Sequence, residues 1–310
     1  MGDAAADLAR AIEHAVGQLA DGVAGADVRW LALGVLFHLS NQLARGLGWF
    51  SVIRMTGTED PVRPHHAVRS WVAGAGAGGV LSARGGDAVR LLMLRPRMPG
   101  TGIGVLTGTL VAEAAGEAAV GAVLVGVAVA VGLWPGIELP GPLLLAGVGA
   151  GVVAALLFVR RTAAAREVAH GACALRAPGR YARTVLPWQL ASRAARAAAL
   201  GCFLVAYGLP ATLPAILLVM IAQGGGRVVP LAPASVGAGA AILVSSFGAI
   251  TGSPADPAVL AGFYVGTSAV LTAVGIAMSV VIGAELIEPC RAQVRSRARA
   301  LRTLARRTPA

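Results

Sequence analysis

Apolar runs long enough to cross a bilayer recur from Trp30 to Gly283, and no polar stretch between them is long enough to fold alone. A spanning helix needs about 20 mostly apolar residues. Candidates are Trp30–Ile53, Ile103–Leu133, Leu143–Val159, Thr184–Tyr207 and Val259–Gly283, with Ala211–Gln223 a shorter sixth that extends toward Val229. As a straight helix Ile103–Leu133 would be roughly 46 Å long, so it must tilt, kink or project beyond the bilayer. Charged residues make up only 13% of the chain, about half the share usual in a soluble domain. The expectation is an all-α polytopic membrane protein. It divides into an acidic N-terminal segment 1–29, a transmembrane domain 30–285 and a basic cytoplasmic tail 286–310.

Two further apolar stretches are too short or too broken to span. Trp71–Ala83 carries Gly74, Gly76, Gly78 and Gly79, and Ala234–Ile250 is entered through Gly224–Gly226, Pro230 and Pro233. Broken backbone at membrane depth survives only where protein or water satisfies the freed groups. Paired broken segments in corresponding halves of a chain point to a transporter-like site between two repeats. The architecture expected is therefore about six spanning helices plus two re-entrant or broken segments in two pseudo-repeats. Short helices with glycines at packing contacts are the simpler alternative.

The net charge is +11, and all 26 basic residues are Arg. They concentrate in residues 54–97, 160–183 and 291–307, whereas the loops Trp134–Pro142, Gly208–Pro214 and Thr251–Pro257 have none. The positive-inside rule places the first three regions, and so the C-terminus, in the cytoplasm, and the acidic N-terminus outside. This holds if Trp71–Ala83 dips in and returns to the same side. In a membrane chain such basic loops meet anionic headgroups, and nucleic acid is not the expected partner. Residues 1–29 lack the basic start and apolar core of a signal peptide.

Several charges sit inside or beside the apolar runs. Asp87 and Arg90 follow Gly85 and Gly86 at a spacing that puts them on one helical face, and Arg84 and Arg90 can offer forked donors to phosphate. An ordinary cytoplasmic Arg cluster explains the same residues. His38, Asn41, Gln42, Arg45 and Trp49 share one stripe of the first helix, with Arg45 either facing a cavity or snorkelling to the interface. Glu113 and Glu117 lie one turn apart in a run without arginine, and Arg193 and Arg196 are their natural partners. Proton or headgroup chemistry and simple charge neutralisation both fit that set.

Other signals fail on context. Gly74–Gly79 matches G-x-G-x-x-G without a surrounding βαβ unit. His65 and His66 lack ligand spacing, so neither a metal nor a cofactor is expected. Cys173, Cys202 and Cys290 form neither a zinc pattern nor an even disulfide set. No nucleophile or triad pattern appears, and the chain is not expected to be an enzyme.

Four segments resemble the transmembrane region of lysylphosphatidylglycerol synthases and its flippase-like relatives. Arg45-Gly-Leu-Gly-Trp49 is similar to an Arg…Trp helix ending, and the run Ala83 to Leu91 resembles a P-x-x-G-[ED]-x-x-R element. Thr109 to Glu117 is similar to a v-x-E-R-x-x-D helix, and Val229 to Ala240 to l-P-i-x-P-G-x-x-G-x-x-E. The chain departs at Ser82–Arg84, where the family has a proline, and at Ala114 and Ala240, where it has Arg and Glu. An Arg expected around Gly266–Thr267 is also absent, and the family's first helix is missing or reduced to residues 1–29. The resemblance implies binding or movement of an anionic phospholipid or polyprenyl-linked lipid, without aminoacyl transfer. The alternative is a non-transporting scaffold for an envelope-biosynthesis enzyme such as a glycosyltransferase.

Overall fold

The computed structural model describes residues 25–60, 62–80, 83–130, 163–226 and 232–305. The expectations for residues 1–24, the Trp134–Pro142 loop, the Leu143–Val159 span and Arg306–Arg307 lie outside them. Among the described residues every regular element is helical and there is no strand. In chain order they are α1 (Val28–Met55), α2 (Pro64–Val80), α3 (Ala83–Leu94), α4 (Ile103–Ala130), α5 (Ala163–Gly171), α6 (Pro178–Thr184), α7 (Leu186–Ala206), α8 (Leu213–Gly226), α9 (Ala232–Thr251) and α10 (Pro257–Ala305). Short 3-10 turns at Arg95–Arg97 and Ala172–Arg176 link neighbours.

The boundaries follow local chemistry. Asp27 caps α1 by accepting from the Arg29 N–H at 2.8 Å, and Asp256 accepts from Ala258 N–H at 2.8 Å ahead of α10, each satisfying an otherwise orphaned donor. Pro64, Pro178 and Pro257 open helices where no backbone donor is needed. Gly208, at φ +69°, leaves α7 in the left-handed conformation that other residues avoid.

The spine is α1 packed antiparallel along α7. Gly34 lies under the Phe203 ring and Gly48 against Trp188, while Asp27 N–H donates to Ala206 O at 2.8 Å. Helices α2 and α3 form a hairpin whose glycines, Gly74 and Gly86, let the two backbones touch. Its open end is buried with Trp49, Ile53, Leu94, Met98 and Leu106. Farther along, Gly76 meets Gly275 and Ser279 of α10, and the Ser279 hydroxyl donates to Ala73 O at 3.1 Å. A second hairpin, α8 and α9, packs through Leu218, Val219, Leu243 and Phe247 against Phe203 and Phe263. Gly239 leaves room there for the Tyr264 ring.

Among the described residues, two helices are long and apolar enough to cross a membrane, over Ile103–Val123 and Pro257–Ile282. Only 17% of the second stretch is buried inside the protein, so its Ile276, Val280 and Val281 face outward. Helices α1 (28 residues) and α7 (21 residues) also have spanning length, but each devotes one stripe to polar side chains, which lowers its mean hydropathy. Helix α8 is short and apolar. Two expectations change. Trp71–Val80, read as broken, lies within the continuous helix α2, and Ala234–Ile250 lies within one continuous 20-residue helix. The tail to Ala305 continues α10 as a single 49-residue helix, roughly 73 Å long at the usual rise per residue.

The basic segments gather at one end of the spine. Cys173 Sγ–H donates to Met55 O at 3.6 Å, His170 contacts Thr56 O at 3.3 Å, and Asp60 accepts from Thr101 Oγ1 at 2.6 Å. Asp27 and the Arg-free loops after α7 and α9 lie at the other end.

The Gly76 crossing leaves no space for a Cβ. Gly76→Val is expected to separate α2 from α10 at a cost of about 1–3 kcal/mol, read as a lower melting temperature in detergent. An unchanged melting temperature would show that the crossing is looser than drawn.

Candidate functional site

The polar stripe of α1 is the floor of the site. His38, Gln42, Arg45 and Trp49 follow at three- and four-residue steps, so they share one face. Gln42 contacts His38 Nε2 at 3.2 Å and accepts from the Trp71 indole N–H at 3.2 Å. Trp49 donates its own indole N–H to Thr109 Oγ1 at 2.9 Å. Both indoles are thus satisfied in an apolar surrounding, as buried Trp requires.

Trp71, only 1% exposed, organises two arginines. The Arg90 guanidinium carbon sits 3.8 Å from its ring centroid and that of Arg45 at 4.8 Å. Cation–π attraction is strongest where water is excluded. Gly74, one turn beyond Trp71, has no Cβ to collide with the Arg90 side chain. A side chain at residue 74 would displace Arg90. Arg90 also pairs with Asp87 at 2.6 Å within α3, and Asp87 is half exposed.

Helix α4 supplies the carboxylates. Arg45 pairs with both Glu113 (3.4 Å) and Glu117. From α7, Arg193 lies 3.6 Å from Glu117 Oε1 and donates to its backbone carbonyl at 3.2 Å. Gln189, one turn earlier, donates to Glu113 O (3.3 Å) and to the Tyr181 hydroxyl (3.0 Å), which donates to Ala112 O at 3.2 Å. Burial pushes the Tyr181 hydroxyl up to about 12, so it keeps the proton it donates. Glu113 is 6% and Arg45 17% exposed at the side chain, and burying such charges is tolerable only because they are paired.

The structure therefore brings Arg45, Arg90, Asp87, Glu113, Glu117 and Arg193 into one cluster across α1, α3, α4 and α7, with Trp71 of α2 between the arginines. Arg45 is no snorkelling residue; it is the main partner of both glutamates. Arg196 lies apart from the carboxylates and donates to Gln223 Oε1 of α8 at 2.9 Å. Arg84 is in α3, and its side chain lies outside the described residues. Trp71, Gln189, Tyr181 and Gln223 were not singled out from the sequence. The Trp-x-x-Gly spacing of Trp71 and Gly74 and the one-turn steps Gln189, Arg193, Arg196 were the available signals.

The Nε atoms of Arg45, Arg90 and Arg193 are buried without a hydrogen-bond partner among the described residues. Buried donors of this kind are costly unless something accepts from them. His65 and His66 meet edge to face, with ring centroids 4.2 Å apart, and no three His, Cys, Asp or Glu side chains among the described residues gather as a metal site.

The positions of the missing family charges are also visible. Ala114 points outward from α4, away from the buried Glu113. Ala240 packs against the apolar cluster of the second hairpin. Thr267 is fully buried, its hydroxyl donating to Phe263 O at 2.6 Å. Ala240 and Thr267 thus leave the half containing α8–α10 uncharged at these two positions, whereas the half containing α1–α4 keeps Arg45, Arg90, Glu113 and Glu117.

Residues 9–278 match the family model described as Lysylphosphatidylglycerol synthase TM region. The match begins within the acidic segment 1–29. No curated protein and no solved structure matches the chain.

Two substitutions probe the cluster. Glu117→Ala leaves Arg193 without a carboxylate and Arg45 with Glu113 alone, and is expected to cost about 3–5 kcal/mol, whereas Arg45→Met with Glu117→Leu should recover part of that loss in the melting temperature. Equal losses in both variants would mean the pair is not coupled. Trp71→Phe keeps a ring beneath Arg90 and should melt well above Trp71→Ala, whose cost is about 3–5 kcal/mol.

Proposed function

The chain belongs to the lysylphosphatidylglycerol synthase TM-region family, and on that premise we propose that this integral membrane protein binds an anionic lipid headgroup at the Arg45–Arg90–Arg193 cluster and carries it across the bilayer. The observation that supports this most is that the Nε atoms of all three arginines are buried without a hydrogen-bond partner among the described residues. A guanidinium fork matches phosphate oxygens, and Trp71 holds Arg45 and Arg90 by their faces without consuming their N–H donors. Arg45, Arg90 and Arg193 face Asp87, Glu113 and Glu117, three charges of each sign. Glu113 and Glu117 neutralise the arginines while no headgroup is bound and yield them to phosphate when one enters. The cargo is an anionic phospholipid or a polyprenyl-linked lipid.

The element order favours alternating access. Helix α1, the α2–α3 hairpin and α4 correspond to α7, the α8–α9 hairpin and α10. Because α1 and α7 are antiparallel, the two hairpins enter from opposite ends, as in inverted-repeat transporters. With the basic end and the C-terminus in the cytoplasm, the α2–α3 hairpin opens inward and the α8–α9 hairpin outward. No covalent chemistry is assigned to the site. A scaffold role for an envelope enzyme is the second reading, favoured by the exposed Arg166, Arg176, Arg180 and Arg183 at the basic end; co-purification after mild solubilisation tests it.

Transport is tested by reconstituting the protein in vesicles with fluorescent lipids of different headgroup. Headgroup-dependent movement is expected, slowed about tenfold or more by Arg90→Ala, since charge-assisted hydrogen bonds are worth roughly 1.5–3 kcal/mol each. Equal movement of all headgroups, or an unaffected Arg90→Ala, rejects it.

A further inference from the structure

Apart from the charged cluster, the basic end holds a cavity of about 460 Å³ between the end of α1 and the α5 segment, lined by Thr56, Arg166, Ala169, His170, Cys173 and Arg176. Arg166, His170 and Arg176 are exposed and Cys173 is half-buried. No ion pair forms at Arg166 or Arg176 among the described residues. The carboxylate next in sequence, Glu167, is packed against Gly102 and Gly104 at the start of α4.

Arginines near a helix C-terminus often serve its carbonyls. At the end of α1 the carbonyls of Ile53, Met55 and Thr56 are already occupied by other donors. The Thr56 hydroxyl donates to Ile53 O at 2.7 Å, the Cys173 thiol to Met55 O, and His170 to Thr56 O. A carbonyl can only accept, so His170 Nε2 carries the hydrogen in that contact. Two guanidiniums are left beside a cavity with no protein acceptor among the described residues.

We infer that this cavity is a phosphate-binding site at the basic end, separate from the Arg45–Arg90–Arg193 cluster. Its two arginines come from different elements, α5 and the Ala172–Arg176 turn. A carboxylate is matched by one guanidinium fork, whereas a tetrahedral phosphate accepts forks from several directions. Two sources share that chemistry: the headgroup of an anionic lipid at the interface, and a soluble phosphorylated compound.

Cys173 in the wall provides the readout. The full-length protein with Cys202→Ala and Cys290→Ala is placed in phosphatidylcholine nanodiscs, and the rate at which a neutral maleimide labels Cys173 is measured. One arm adds sodium pyrophosphate; another uses discs containing phosphatidic acid. At least one arm should slow labelling several-fold. Protection in the phosphatidic acid discs alone assigns the site to a lipid headgroup, and protection by pyrophosphate assigns it to a soluble phosphate. Arg166→Gln with Arg176→Gln should weaken protection about tenfold or more, the worth of charge-assisted hydrogen bonds. Both side chains are exposed, and Arg176→Gln alone is a milder variant with the same expected direction. Unchanged labelling in both arms, or protection undiminished in the Arg variants, overturns the inference.

Discussion

Arg45 and the two glutamates of α4 are the interaction on which the rest of the architecture depends. A guanidinium in the middle of an apolar helix is costly unless acceptors surround it. Glu113 and Glu117 supply them, one turn apart on a helix that has no basic residue of its own. The arrangement ties α1 to α4, and Arg193 extends it to α7. Trp71 brings in the α2–α3 hairpin, because its ring faces both Arg45 and Arg90. Four separate segments are thereby held at one place by charge, where apolar surface alone would let them slide.

Small residues make that meeting possible. Lipid offers little hydrophobic drive between helices, so close approach and dispersion must supply the packing energy. Gly74 admits the Arg90 side chain, Gly86 admits the backbone of the opposite hairpin arm, and Gly76 admits α10. The hairpin's position is therefore set by three glycines on two of its faces. The second hairpin relies instead on large apolar side chains around Phe203, Phe247 and Phe263. This asymmetry matches the charged cluster, which lies in the first half and at α7, while Ala240 and Thr267 are uncharged positions of the second half. The α2–α3 hairpin supplies Trp71, Asp87 and Arg90 to the charged cluster, and among the described residues of the α8–α9 hairpin Gln223 accepts from Arg196.

Much of the fold was legible in the chain. Apolar run length located α1, α4, α7 and α10, and the clustering of arginine separated the two ends. The Gly-rich stretch from Trp71 is helical through Val80, and α3 begins at Ala83 and packs back along α2. The continuity of α9 was less legible. Gly237 and Gly239 look like breakers in sequence, yet at Gly239 the missing side chain accommodates Tyr264 and the helix runs on. In the site, Glu113, Glu117, Arg90 and Arg193 stood out because isolated charges in apolar sequence are conspicuous. Trp71 and Gln189 did not, because a Trp or Gln in a membrane helix is unremarkable until its partners are known.

Sequence alone determined that this chain is a helical membrane protein with few, widely separated interior charges, since length, hydropathy and residue type are local properties. Which charges pair was decided only in three dimensions. Arg45 is 68 residues from Glu113, and Arg193 is 76 from Glu117. Helical spacing constrains residues within one segment and carries no information about which segments become neighbours. Arg193 and Arg196, equivalent on their own helix, diverge for that reason: one faces α4 and takes a carboxylate, the other faces α8 and takes an amide. The crossing of α1, α4 and α7, set by glycine contacts and by the need to neutralise Glu113 and Glu117, makes that choice.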